Sequence, residues 1–338
     1  MKVCVVGAGA IGGLVAVRLA LGGEDEVTCV VRGANLEAIR ANGMKLIEHD
    51  GTERVAKNIR ACTWDEAGPQ DVVILGMKAH QVEPILSDLD KILHDDTIII
   101  PMQNGIPWWY FQGQGKDAPF ADRAVESVDP GGKIKSAIDP RRILGCVVYP
   151  ASELTAPGVV RHIEGDRFPI GELDGSISER AQRVSEMFQR GGLKAPVLEN
   201  IRSEIWLKLW GNLTFNPISA LTHSTLVDIC QFPLTRELAA EMMREAQTVA
   251  NKLGITFRVP LEKRIAGAER VGKHKTSMLQ DVEAGRDPEI DALVGSVIEL
   301  ARLTETPVPH IETTYALVKL LAKTMREENV RVRAEPLG

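Results

Sequence analysis

The sequence predicts an α/β protein in two parts, a doubly wound parallel sheet at the N-terminus followed by an all-helical C-terminal domain. Three observations carry this. A short apolar run, Val3-Cys4-Val5-Val6, opens directly into Gly7-Ala8-Gly9-Ala10-Ile11-Gly12-Gly13 and then an apolar helical pattern from Leu14 to Leu21. Strand and helix patterns alternate through the first half of the chain, the order that yields a parallel sheet. From about Asn200 onward strand signals stop and long helical patterns follow. On this reading residues 1–198 form the first domain, with an aromatic insertion at about 107–142, and residues 199–338 form the second.

Strand, G-x-G-x-x-G and helix in that order are the setting of a dinucleotide-binding Rossmann site. Gly7 permits the tight turn, Gly9 lets the backbone approach a pyrophosphate, and Gly12 lets the helix pack closely on the strand. Ala8, Ala10 and Ile11 complete the loop, and the helix N-terminus favours phosphate charge. The next strand, Val27-Thr28-Cys29-Val30-Val31, ends in Arg32. An NAD site places an acidic residue about there to bind the ribose hydroxyls. A planar guanidinium suits a 2′-phosphate instead, so the expected cofactor is NADP(H). Arg40 could assist, but it reads better as a solvent-facing helical arginine.

Asp71–Gly76 reads as a strand, Gln81–Leu93 as one helix, and Thr97–Pro101 as another strand. Met77-Lys78-Ala79-His80 and Met102-Gln103-Asn104-Gly105 lie just past two strand ends, where a doubly wound sheet binds its ligands. They are candidates for nicotinamide-side contacts, with a surface role for Lys78 as the alternative. From Pro107 to Arg142 the pattern is interrupted, and Trp108-Trp109-Tyr110-Phe111 stands out in a chain with few aromatics. The cluster is either a lid or substrate wall, or packing for the insertion. Ile143–Tyr149 resumes the sheet. Val159–Ile163 and Phe168–Gly171 flank a turn at Gly165-Asp166, and His162 reads as a strand residue facing solvent. Ser178 caps a helix running to about Arg190.

The helical half contains patterns over Glu204–Leu221, Leu234–Leu253 with Gly254 as its C-cap, and Asp287–Leu303, with another beginning near Ser277. In the first, Lys208, Asn212 and Asn216 are spaced i, i+4, i+8, so a helix stacks them on one face. Around them lie Ile205, Trp206, Leu209, Leu213 and Phe215. A polar group buried without a partner costs roughly 1–3 kcal/mol, so this stripe needs partners, and a bound carbonyl or carboxylate could supply them. A solvated lysine with two amides buried against backbone is equally open on this segment alone. Ser277, Asp281, Glu289 and Asp291, taken alone, read as caps and surface charge.

A formal charge of −6 over 338 residues argues against general nucleic-acid binding. The five cysteines are dispersed, with no C-x-x-C and no metal-ligand spacing, so no metal site is expected. An odd, scattered set without a signal peptide fits a reducing cytoplasm. No apolar run reaches membrane-spanning length. The oligomeric state is left open, a homodimer included.

Together these elements resemble the ketopantoate reductase family. The resemblance is carried by Gly7-x-Gly9-x-x-Gly12, Lys78, Gln103-Asn104-Gly105, Trp206-x-Lys208 with Asn212 and Asn216, Ser277-Met278-x-x-Asp281 and Glu289-Ile290-Asp291, in order over nearly the whole chain. It implies NADPH-dependent reduction of a small 2-oxo acid to a 2-hydroxy acid in a cleft between the two domains, with ketopantoate to pantoate as the default. It further implies that Lys208 is the general acid and that Glu289 positions the substrate or its hydroxyl. By the same resemblance Asn104, Asn212 and Asn216 orient nicotinamide and substrate, Ser277 hydrogen-bonds the carboxylate, and Lys78 lines the same cleft. Chemistry supports the lysine, because a ketone receiving hydride needs a proton and a positive neighbour. Asp281 matches the pattern but reads as structural, at a helix start.

Two departures bear on substrate identity. The insertion is outside the family pattern, and a polar position expected after Asn216 falls near His223-Ser224-Thr225 without a clear match. An enzyme of the same scaffold acting on a bulkier oxo acid or an imine is therefore the second reading. A non-catalytic NADP(H) sensor is the third, disfavoured because Lys208 and Glu289 are both present.

Overall fold

The structure, a computed structural model, describes residues 1–337. The chain divides into two compact units. Residues 1–103, 111–124 and 131–201 form the first, and residues 104–110, 125–130 and 202 onward form the second.

Among the described residues the first unit holds all the strands. In chain order they are β1 (Lys2–Val6), β2 (Glu26–Val30), β3 (Met44–Ile47), β4 (Glu53–Ala56), β5 (Arg60–Cys62) and β6 (Val72–Leu75). They continue with β7 (Ile98–Pro101), β8 (Leu144–Cys146), β9 (Ala151–Ala156), β10 (Val159–Glu164) and β11 (Ile170–Glu172). The principal sheet runs β5-β2-β1-β6-β7, with every pairing parallel. Strands β6 and β7 are buried along their whole length, which is why they read as unbroken apolar runs rather than alternating ones. A second sheet runs β4-β3-β10-β9, and β8 pairs antiparallel with β11.

Helix α1 (Ala10–Gly22) follows β1 and packs against β9 and β10, and α2 (Gly33–Asn42) follows β2. The others in this unit are α3 (Trp64–Ala67), α4 (Leu86–Leu89), α5 (Lys133–Ala137) and α6 (Glu179–Arg190). Ser178 caps α6 as expected, its hydroxyl accepting from the Ala181 amide at 3.1 Å. Phe188 of α6 meets Phe168 edge-on at 5.5 Å in the core.

Two expectations are corrected in this unit. The single helix over residues 81–93 is instead a chain of short turns, with 3₁₀ turns at Ala79–Gln81, Glu83–Ile85 and Asp90–Ile92 around α4. The run leaves helical geometry at Ile85, which takes φ −103° and ψ 1°, so the turns on either side of it do not join into one helix. His162 does not face solvent, being 6% exposed on β10, because that strand is paired on both sides and α1 lies across it. Its Nε2 lies 2.5 Å from the Gly165 carbonyl oxygen, and its Nδ1 lies 3.5 Å from Glu48 Oε2. Glu48, His49 and His162 bring potential ligand atoms within 4.8 Å of one another. The Arg18 guanidinium, 2.7 Å from Glu48 Oε2, supplies positive charge there.

The second unit is helical: α7 (Ile201–Thr222), α8 (Leu226–Gln231), α9 (Pro233–Lys252), α10 (Leu261–Val271), α11 (Ser277–Ala284), α12 (Ser296–Leu303) and α13 (Pro309–Glu327). Trp210 of α7 anchors its core, stacked on Phe257 at 4.2 Å and donating to the Met243 carbonyl at 2.8 Å. The helix expected over 287–303 begins only at Ile290, with a π-helical stretch over Asp291–Gly295 before α12. Pro288 disfavours helical backbone at Asp287 and so delays the start. Asp281 is not at a helix start either. Thr276 caps α11, while Asp281 sits in its second turn, 2.8 Å from Arg286 Nε.

The aromatic insertion packs inward. Trp108, Trp109, Tyr110 and Phe111 are each at most 2% exposed, so they are core rather than a solvent-facing wall. Among the described residues no helix is long and apolar enough to cross a membrane.

Candidate active site

In the first unit the fingerprint adopts the geometry its glycines permit. Gly7 takes φ +86°, and its amide donates to the Val30 carbonyl at 3.1 Å, tying the turn to β2. A Cβ on Gly12 would collide with the Gly7 carbonyl oxygen, so α1 can start this close to β1 only with glycine there. At Gly9 an added Cβ would meet nothing within 4 Å, and no side chain caps the first amides of α1. Open ground in front of uncapped helix amides is what a pyrophosphate needs. Ala8 is buried, while Ala10 and Ile11 are half-buried at the start of α1.

Arg32 stands immediately before α2, exposed, and no acidic side chain pairs with it among the described residues. Arg40 is otherwise engaged, donating to Glu66 at 2.6 Å and to the Ala61 carbonyl at 3.0 Å. The end of β6 meets the fingerprint. A Cβ on Gly76 would fall 2.8 Å from both Gly12 Cα and the Gly7 carbonyl oxygen. Lys78, half-buried, lies two residues beyond that contact. Gln103 Nε2 donates to the Leu75 and Met77 carbonyls at 2.9 Å each, which staples the end of β7 to the end of β6.

The other expected site residues lie in the second unit. Helix α7 carries Lys208, Asn212 and Asn216 on one face over roughly 12 Å of helix, at about 1.5 Å per residue. Lys208 Nζ donates to Asn104 Oδ1 at 2.5 Å, so the loop after β7 and the helical stripe meet directly. Asn216, 5% exposed, donates from Nδ2 to Ser277 Oγ at 3.4 Å. Ser277 is the first residue of α11, and Asn212 is half-buried between the two contacts.

Glu289, half-buried, comes two residues before the π-helical stretch. Such stretches widen a helix by one residue per turn and recur at functional sites. Within it, the Ala292 carbonyl accepts from the Ile106 amide at 3.0 Å, which brings the Asn104 loop to the segment that carries Glu289. Asp291 faces a different task, held by Lys319 at 2.9 Å and by the Tyr315 hydroxyl at 2.7 Å. Burial and the adjacent Asp291 carboxylate push the Tyr315 hydroxyl above its usual range, keeping that donor protonated.

Sequence reasoning missed the far anchor of the loop. Tyr110 accepts twice from α7, at its carbonyl from Arg202 Nε and at its hydroxyl from Trp206 Nε1, both at 2.7 Å. The i, i+4 spacing of Arg202 and Trp206 was a usable signal that both face one partner.

A parallel sheet that opens on a dinucleotide fingerprint makes the first unit a Rossmann-type domain. Comparison with known proteins narrows this. Residues 3–175 match the family model described as ketopantoate reductase PanE/ApbA, and residues 200–322 match its C-terminal counterpart. The chain belongs to the ketopantoate reductase family. It is 52% identical over 322 residues to a 2-dehydropantoate 2-reductase of Mesorhizobium japonicum, covering 95% of this chain and 98% of the relative. A crystal structure from Ralstonia solanacearum MolK2, presented as a candidate ketopantoate reductase, superposes with a TM-score of 0.90 at 38% identity, covering 96% of this chain and 98% of that one. A ternary structure of D-mandelate dehydrogenase with NADH and anilino(oxo)acetate shares the fold, with a TM-score of 0.81 at 22% identity and coverage of 96% and 99%.

Proposed function

We propose that this protein is a 2-dehydropantoate 2-reductase, converting ketopantoate to pantoate at the expense of NADPH. The observation that carries the reading is the Lys208 Nζ to Asn104 Oδ1 contact at 2.5 Å, which joins two residues expected at the site within the second unit. The M. japonicum relative, alike over nearly the full length of both chains, supports the substrate.

The groups around the fingerprint fit the cofactor. Gly7, Gly9 and Gly12 with the start of α1 would hold the pyrophosphate, Arg32 the 2′-phosphate, and Lys78 and Asn104 the nicotinamide end. Bound there, NADPH supplies the hydride for the keto carbon. Lys208 delivers the proton to the keto oxygen. An ammonium has three donors, and the one given to Asn104 fixes the direction of the other two. As negative charge develops on the oxygen, the positive charge beside it lowers the barrier, and more so where water is excluded. Asn212 and Asn216 orient the acid along the stripe. Ser277 holds the carboxylate, helped by the N-terminus of α11, where negative charge is favoured. Glu289 accepts from the substrate hydroxyl. The five cysteines are free and buried, which suits a reducing compartment, and we assign the protein to the cytoplasm.

A panel of 2-oxo acids tested for NADPH consumption checks this reading. Ketopantoate should give the highest kcat/KM, above branched and aromatic 2-oxo acids. A bulkier acid preferred tenfold would move the protein to another substrate on the same scaffold, and no consumption with any acid would refute the activity.

A further inference from the structure

Residues 104–110 are fastened to the helices of their own unit, the second, at three points. At the near end Asn104 Oδ1 accepts from Lys208 Nζ at 2.5 Å. In the middle the Ile106 amide donates to the Ala292 carbonyl at 3.0 Å, and Gly105, at φ +87°, lies so close to that carbonyl that a Cβ would collide with it. At the far end Tyr110 accepts from Arg202 Nε and Trp206 Nε1, each at 2.7 Å. Arg202 and Trp206 share one face of α7. Lys208, two residues beyond Trp206, projects roughly 200° further round the helix, at about 100° per residue. The segment therefore passes from one side of α7 to the other, bound to the same helix at both ends and to the segment following Glu289 in between.

The far anchor is dry. Trp206 is 0% and Tyr110 2% exposed, so water cannot replace either partner, and an unmade bond there leaves a buried donor unsatisfied. Burial also raises the Tyr110 hydroxyl to about 12, so it stays neutral through the physiological range.

We propose that Tyr110 is a positioning residue for the reduction: its two bonds to α7 fix segment 104–110, which holds Asn104 against Lys208 and sets Lys208 relative to Glu289. Tyr110 belongs to the aromatic insertion, so this gives the insertion a role in the chemical step through geometry rather than through contact with substrate. The proposal rests on the reading of Lys208 and Asn104 given above.

The test is a double-mutant cycle on the full chain, with Tyr110→Phe measured in the wild-type and Asn104→Ala backgrounds. Removing the hydroxyl should lower kcat about tenfold, within the range that small misplacements of catalytic groups produce, with the KM for NADPH unchanged. In the Asn104→Ala background the same substitution should cost less than about twofold, because residues acting through a shared contact are not additive. An unchanged kcat in folded Tyr110→Phe, or an equal loss in both backgrounds, overturns the proposal. If Tyr110→Phe fails to fold, Arg202→Met cuts the other bond to the same anchor, enters the same cycle and is judged by the same outcomes. Wild-type kcat in both Asn104→Ala and Lys208→Ala would instead remove the site reading, and the proposal with it.

Discussion

The proposed preference for NADPH rests on one residue, Arg32. It stands where an acidic side chain would select NAD, it is exposed, and no carboxylate of the chain pairs with it among the described residues. Charge-assisted hydrogen bonds are worth about 1.5–3 kcal/mol, so Arg32→Asp should weaken NADPH binding by roughly 10- to 100-fold while NADH binding changes little. A fluorescence titration in which the wild type binds both cofactors equally would remove Arg32 from the selection. The cysteines test burial at the same scale. Burial lifts the Cys4 thiol to about 12 and the Cys29 thiol further, with neighbouring thiols adding to both. Unfolded thiols ionise near pH ~8.5, so between that pH and about 12 the unfolded state sheds protons that the fold retains. Stability should therefore be intact below pH ~8.5 and fall as pH rises above it. A urea midpoint that stays flat from pH 8 to pH 10.5 would contradict this. The tight turn of the fingerprint was legible in the sequence because its geometry is local, with Gly7 at φ +86° as the pattern requires. His162 was not, because its burial depends on β3 and α1 as well as on the neighbouring β9, and β3 and α1 lie far from it in sequence.

At the scale of elements, burial on both faces made β1, β6 and β7 readable as apolar runs. Strands β3 and β4 passed unnoticed because β4 is exposed at three of its four positions and carries no apolar pattern. The periodicity over Gln81–Leu93 suggested a helix, and non-helical backbone at Ile85 divides it into turns. The aromatic segment is the element whose role changed most. With Trp108 and Trp109 each 1% exposed, it is core, and its loss should be felt as stability. Truncating a buried tryptophan typically costs about 3–5 kcal/mol, so Trp108→Ala should lower unfolding free energy by that order in urea denaturation. A loss under ~1 kcal/mol, within the range of surface substitutions and modest repacking, would mean that the indole is not packed as described.

For the whole molecule, the stripe of Lys208, Asn212 and Asn216 was legible because helical spacing alone puts the three on one face. Its partners were not, since the bonds of Asn104 to Lys208 and of Ser277 to Asn216 span 104 and 61 residues of chain. The family resemblance assigned these residues to one site without pairing them. The central proposal is that the chain reduces a 2-oxo acid with Lys208 as the acid, and turnover by the intact chain tests it. The direct measurement is the initial rate of NADPH oxidation with ketopantoate for the wild type and Lys208→Ala side by side, with Lys208→Met as a control for bulk. The account predicts robust turnover in the wild type and a loss of at least ~10²-fold in both variants, the low end for positioned acid catalysis, with NADPH affinity preserved. Near-normal turnover in either variant, or none in the wild type, would contradict it.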